Sequence, residues 1–161
     1  MERLSIDKYF MQIAQTVALR STCIKRQVGC VITLDKEIVS TGYNGAVKGA
    51  KHCIDIYNEC PRKEIGAHRG ERYDLCPALH AEANAIIQAA KTSKSINGGT
   101  AYITIAPCIT CIRMLINAGI NRLVMGDKPQ QEVLDLIKDL NWGASFSEID
   151  GGFYEINFDW S

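Results

Sequence analysis

Four residues in this chain have the types and spacing to do chemistry together. His80-Ala81-Glu82 and Pro107-Cys108-Ile109-Thr110-Cys111 each fall where a helix is predicted to begin. They bring one imidazole and two thiolates. Three protein ligands with a fourth position left open to water is the arrangement of a catalytic zinc, whereas a closed set of four is structural. Zinc lowers the pKa of bound water to about 7, so a nucleophile is available at neutral pH. Glu82, two residues past His80, can reach that water without binding the metal, take its proton and hand it on as general base and then general acid. Both cysteines lie in the first turn of their helix, where the positive end of the dipole favours thiolates. Pro107 suits such a start because no amide hydrogen is needed there.

The surrounding elements must hold these two motifs together. Apolar residues at three- and four-residue spacing predict a helix over residues 7–20, with Asp7 as N-cap. Two β-branched runs, 28–34 and 37–43, joined through Asp35-Lys36, read as a hairpin, and Asn44-Gly45 marks a turn after it. Residues 46–78 show no sustained period and form a connection much longer than the usual loop. Beyond it, helix 81–94, strand 100–105, helix 108–118 with Gly119 as its cap, strand 122–126, helix 130–140 and a weaker strand 144–149 follow. Alternating helices and strands after an opening hairpin predict an α/β sheet covered by helices.

Whole-chain properties narrow the class. At 161 residues the chain has the size of a single domain, taken here as 1–161. Apolar residues make up 47% and charged residues 22%, which suits a globular protein. Lys plus Arg and Asp plus Glu both number 18, so no basic field disposes the chain toward a polymeric nucleic acid. No apolar run approaches a membrane span and the start lacks the core of a signal peptide, so no membrane role and a cytoplasmic location are expected. Seven cysteines in such a chain point to thiolate metal sites before disulfides.

Either short motif alone arises by chance: a C-x-x-C also serves redox chemistry or half a structural zinc site. Paired, H-x-E and P-C-x-x-C are the signature of zinc-dependent deaminases. Over most of its length the chain resembles the deoxycytidylate (dCMP) deaminase family, which includes bacterial late-competence proteins. The resemblance is carried by Arg20-Ser21-Thr22-Cys23, Arg26-Gln27-Val28-Gly29-Cys30-Val31-Ile32, Gly42-Tyr43-Asn44-Gly45, His80-Ala81-Glu82-Ala83-Asn84-Ala85-Ile86 and the Pro107 to Cys111 motif. It implies hydrolysis of dCMP to dUMP and ammonia, supplying dUMP for thymidylate synthesis. The implied fold is the three-layer α/β/α cytidine deaminase-like one, with a mixed central sheet of about five strands. It further implies that Asn44 reaches the sugar and that the Ala81 backbone amide holds the base carbonyl. Read by itself, Asn44 is equally the favoured residue of a turn. Arg26 is the candidate for the 5′-phosphate, its alternative being a solvated surface charge. Some members are regulated by deoxynucleoside triphosphates such as dCTP and dTTP, with magnesium, near the turn formed here by Gly42, Tyr43, Asn44 and Gly45. Members are commonly homo-oligomers, hexamers among them.

Of the remaining cysteines, Cys30 sits inside a predicted strand as a small core residue. Cys23, Cys53, Cys60 and Cys76 flank or lie within the cysteine-rich insertion at about 46–78. Four thiolates can close a tetrahedral structural zinc site that pins the insertion to the end of the first helix; the alternative is unpaired thiols. The resemblance agrees with a second metal. His52 and His68 are substitute ligands in principle and ordinary loop histidines otherwise. Competing functions are deamination of another free cytosine nucleoside or nucleotide, of a tRNA adenosine or of a pterin or riboflavin precursor, and a non-catalytic zinc-stabilised accessory protein of DNA uptake. Neutral charge disfavours tRNA. Glu82 disfavours the accessory role, since a structural site has no use for a proton carrier.

Overall fold

The computed structural model describes residues 1–159, so the last two residues of the expected 1–161 domain, Trp160 and Ser161, lie outside the described residues. The chain opens with α1 (Ile6–Ala18), followed by the hairpin β1 (Gly29–Leu34) and β2 (Glu37–Tyr43) and the short β3 (Gly45–Ala46). Next come two single-turn helices, α2 (Cys53–Ile56) and α3 (Pro61–Glu64), then β4 (Ala78–Leu79) and α4 (Ala81–Lys91). The remainder alternates: β5 (Thr100–Ile103), α5 (Ile109–Asn117), β6 (Arg122–Met125), α6 (Gln131–Asp139) and the hairpin β7 (Ala144–Ile149) and β8 (Phe153–Phe158).

Six strands form one mixed sheet in the order β2-β1-β5-β6-β8-β7, and β3 pairs with β4 in a separate ribbon. Only β5 and β6 run parallel, joined through α5. The expected sheet of about five strands thus gains one. Residues 153–158 form a strand because Gly151 and Gly152, at φ of +90° and +73°, reverse the chain and lay β8 between β6 and β7. The first helix also begins earlier than expected: Ser5, not Asp7, is the N-cap, its hydroxyl accepting from the Lys8 amide. Asp7 has another task, described below. The β1–β2 turn is as the hairpin requires, with Asp35 and Lys36 both at positive φ, matching the twist of the strands.

Alternation along the strands divides the interior into two layers. Cys30, Ile32, Ala101, Ile103, Leu123 and Met125 face the side covered by α4, α5 and α6, where Ala81, Ala85, Ile112, Leu115 and Ile137 complete the larger core. Val31, Tyr102 and Val124 face the other way and pack on Phe10, Met11 and Ala14 of α1. The result is the three-layer α/β/α arrangement. No helix among the described residues is long and apolar enough to cross a membrane.

Two glycines set how closely helices lie on the sheet. A Cβ at Gly29 would overlap the Ala14 carbonyl oxygen, and one at Gly42 would overlap the Ala81 carbonyl oxygen and the Ala85 nitrogen. Helix α4 therefore rests backbone to backbone on β2, and its small residues Ala81, Ala85 and Ala89 are fully or nearly buried there. Side chains of α4 also reach the strand's backbone: Gln88 Oε1 accepts from the Thr41 amide at 2.6 Å, and Asn84 Nδ2 donates to the Tyr43 carbonyl at 2.8 Å. These contacts cover part of an edge strand that would otherwise offer free hydrogen-bonding groups.

At the other layer, Arg122 of β6 holds Asp7 of α1 through two hydrogen bonds of 2.8 and 2.9 Å and Glu155 of β8 through a third of 2.7 Å. Tyr102 donates to the same Asp7 carboxylate at 2.9 Å. The Arg122 hydrogen bonds hold the Asp7 carboxyl below the ordinary carboxylate range. A depressed folded-state pKa contributes stability that is present above the unfolded value of about 3.9 and is lost as pH falls through the folded value. Asp7→Asn is therefore expected to lose about 1–3 kcal/mol at neutral pH. Its unfolding free energy should also fall less steeply than wild type across the acid limb of a denaturant-melt series. At the opposite layer, Gly42→Ala must push α4 off β2, and a loss of about 1–3 kcal/mol is expected in thermal unfolding.

Candidate metal centre

The site lies where the carboxyl ends of β5 and β6 meet the start of β1. The loop after β5 carries Ala106, Pro107 and Cys108, and Thr104 in that loop accepts from the Gly29 amide at 3.1 Å. Cys108 is the N-cap of α5 and His80 the N-cap of α4, both with extended backbone, so two helix N-termini converge. Cys111 follows one turn into α5.

At that convergence His80 Nδ1 lies 3.6 Å from Cys108 Sγ and 3.3 Å from Cys111 Sγ. These three are the one group of three or more metal-ligating side chains among the described residues whose ligand atoms all lie within 4.8 Å of one another. A nitrogen and two sulfurs at that spacing fit a small, borderline-soft ion such as zinc and leave one tetrahedral position open. The hydrogen bond from Cys111, with that from His80, draws Cys108 toward the thiolate; in return the Cys108 hydrogen bond and burial keep Cys111 a thiol. His80 is drawn toward its charged form, chiefly by its hydrogen bond to Cys108. Glu82 is 3% exposed, and burial raises its carboxyl above the ordinary value. A carboxyl displaced upward by a dry setting suits a group that must both take and give a proton.

Tyr73 stands edge-on to the His80 ring, centroids 4.5 Å apart at 81°, and the Arg62 guanidinium lies 4.4 Å over the Tyr73 ring. Arg62 is itself buried, donating to the Glu71 and His68 carbonyls at 2.7 and 2.9 Å. Burial lifts the Tyr73 phenol to about 12, so it stays protonated. The cavity beside the metal-ligating group is lined by Ala81, Glu82 and Asn44 and by four cationic side chains, Lys25, Arg26, Arg62 and Arg69.

The residues singled out in the sequence are distributed unequally around this cavity. Arg26 is exposed and lines it. Ala81 is the first residue of α4, so its amide has no intrahelical acceptor and is available to a ligand. Asn44 lines the cavity, but most of its amide is engaged by the chain: Oδ1 accepts from Ser21 Oγ at 2.6 Å and from the Val28 amide at 2.8 Å, and Nδ2 donates to the Arg26 carbonyl at 2.8 Å. One Nδ2 hydrogen remains. In the Gly42 to Gly45 turn, Gly42 is buried beneath α4 and Asn44 braces residues 21–28, leaving Tyr43 as the exposed side chain. Cys30 is a buried core residue, as expected.

Cys53 is buried, and its thiol is pushed up first by burial and then by the neighbouring Cys23, Cys76 and Cys60. Cys53 thus has the other three as neighbours, although no three of the four have their sulfurs all within 4.8 Å of one another. His52 and His68 are exposed. Arg62, Arg69 and Tyr73 are not marked in the sequence because 46–78 has no period to say which of its three arginines and two tyrosines turn inward, and Lys25 sits in the equally irregular stretch between α1 and β1.

Comparison with known proteins agrees with this geometry. Residues 4–127 match the cytidine and deoxycytidylate deaminase zinc-binding region. The deoxycytidylate deaminase of Mycobacterium phage D29 is 38% identical over 129 residues, covering 77% of this chain and 96% of that one. The deoxycytidylate deaminase of Schizosaccharomyces pombe is 38% identical over 122 residues, 76% of this chain, and the matched part spans only 37% of that longer protein. The crystal structure of dCMP deaminase from the cyanophage S-TIM5 in complex with dCMP and dUMP superposes with a TM-score of 0.67 at 25% identity, covering 87% of this chain and 95% of that one. With residues 4–127 matching and a relative of almost the same span 38% identical, the chain belongs to the cytidine and deoxycytidylate deaminase zinc-binding family.

Proposed function

We propose that this chain is a zinc-dependent hydrolase that converts dCMP to dUMP and ammonia. The observation that carries the reading is the buried Glu82 carboxyl beside one imidazole nitrogen and two sulfurs gathered within 4.8 Å at two helix starts. Zinc held by His80, Cys108 and Cys111 would supply a Lewis acid that makes water acidic enough to attack at neutral pH. Glu82 takes a proton at its carboxylate, delivers it to the ring nitrogen and then serves the leaving amine. The free amide of Ala81 donates to the base carbonyl, fixing the ring against α4. Arg26, with Lys25 beside it, offers the 5′-phosphate a bidentate, charge-assisted grip. The remaining Asn44 hydrogen serves a sugar hydroxyl, while the rest of that side chain keeps the Arg26 loop in place.

The choice of dCMP draws on the relatives: the phage D29 protein is a deoxycytidylate deaminase, and the S-TIM5 enzyme was crystallised with dCMP and dUMP. Ammonia release from dCMP, CMP, deoxycytidine and dCTP tests it. Turnover should be greatest with dCMP, and Glu82→Ala should lose on the order of 10²–10⁴-fold in rate while keeping its zinc. No turnover of any cytosine nucleotide would overturn the enzyme reading. If the turn formed by residues 42–45 binds a regulatory nucleotide, dCTP or dTTP with magnesium should change the rate of dCMP turnover; no change with either would remove that role.

The same reading takes residues 1–161 as one cytoplasmic domain that assembles as a homo-oligomer, with a second, structural zinc on Cys23, Cys53, Cys60 and Cys76. Support for that zinc is the position of Cys53, which has Cys23, Cys60 and Cys76 as neighbours, three of the four thiols coming from a segment that has little core of its own. Metal analysis should find about two zinc equivalents per chain, whereas about one in fully active protein would remove the second site.

A further inference from the structure

The cavity holds an arginine with a task apart from the reaction just described. Ala106, two residues before the ligand Cys108, is 2% exposed, so both polar groups of its backbone need partners inside the protein. Its amide donates to Asp127 Oδ1, in the loop after β6. Its carbonyl accepts from a guanidinium nitrogen of Arg69, in the long insertion. The other terminal nitrogen of Arg69 lies 3.5 Å from Asp127 Oδ2, closing a ring of three residues from three separate parts of the chain.

We propose that Arg69 and Asp127 are positioning residues that hold the Ala106 backbone, and through it Cys108, in the geometry the metal requires. The proposal rests on the reading of His80, Cys108 and Cys111 as metal ligands. Pro107 stands between the clamped residue and the ligand, and its ring fixes φ, so the orientation of Ala106 passes to Cys108 with little slack. The parallel pairing of β5 and β6 puts their following loops side by side, which lets Asp127 reach Ala106 directly.

Simple stabilisation does not account for the pair. The Arg69 and Asp127 side chains are 27% and 48% exposed, and ion pairs so open to water contribute little. What the charges do is strengthen two hydrogen bonds to one buried backbone unit. Nor is Arg69 well placed to grip substrate, since both terminal nitrogens are already engaged within the chain.

The test uses the full chain loaded with cobalt(II), whose thiolate charge-transfer absorption reports the Cys108 and Cys111 geometry. Arg69→Ala and Asp127→Ala should each shift that absorption and speed metal loss to a chelator by about 10–100-fold. The double variant should be no worse than the poorer single one, because both act on one unit. With zinc, kcat for dCMP should fall about 10-fold while KM stays within about twofold. Arg69→Lys should recover part of the metal retention. Hydrogen exchange at the Ala106 amide should quicken in Asp127→Ala. If that variant does not fold, Asp127→Asn, which keeps an acceptor but no charge, should show the same changes in smaller measure. Unchanged cobalt absorption and chelator kinetics in the variants, with a normally loaded wild type, would overturn the clamp alone. A rise in KM confined to Arg69→Ala would overturn it in favour of a substrate contact. Failure of wild type to bind cobalt would overturn the metal reading and the clamp with it.

Discussion

The meeting of two helix N-termini at one point is the constraint on which the rest of the structure depends. His80 opens α4 and Cys108 opens α5, and each must arrive with extended backbone and its side chain directed at the other. Helix dipoles there favour thiolate, while burial opposes charge on Glu82 and Cys111, so the same geometry that gathers these side chains also conditions their charge. Neither helix can be moved far without loss of the site. The Gly42 contact sets the height of α4 above the sheet, and the parallel β5–α5–β6 unit sets the height and direction of α5.

The long segment between the two halves of the fold contributes to this meeting instead of merely linking them. Arg62 lies on Tyr73 and Tyr73 on His80, while Arg69 reaches the backbone that precedes Cys108. One ligand on each helix is thereby approached from the same insertion. Such a segment buries few apolar groups and has short helices only, so its own order must come from somewhere else. Cys53 is its buried exception, with Cys23, Cys60 and Cys76 beside it.

Several residues that mark the family resemblance do their work in packing. Gly29 admits α1 to the sheet, Gly42 admits α4, and Asn44 fastens residues 21–28 with three of its four hydrogen-bonding capacities. A motif residue can thus support a site without touching what the site binds. Asp7 illustrates the converse: its position at a helix start suggested a cap, but a partner more than a hundred residues away, Arg122, claims its carboxylate.

The sequence by itself determined which metal-ligating side chains gather at the centre, the two helix starts that carry them and the order of most strands and helices. Those features depend on local patterning and on side-chain type, both of which survive in a linear string. Tertiary structure alone decided the sixth strand, the full engagement of the Asn44 oxygen, the chain of contacts from Arg62 through Tyr73 to His80, and the hydrogen bonds of Arg69 and Asp127 to Ala106. Each of these joins residues from separate elements, or from a segment with no period, where sequence distance carries no information about which side chains share a cavity. The residues at positions 80, 82, 108 and 111 were legible because their spacing is chemical; their neighbours were not, because their spacing exists only in three dimensions.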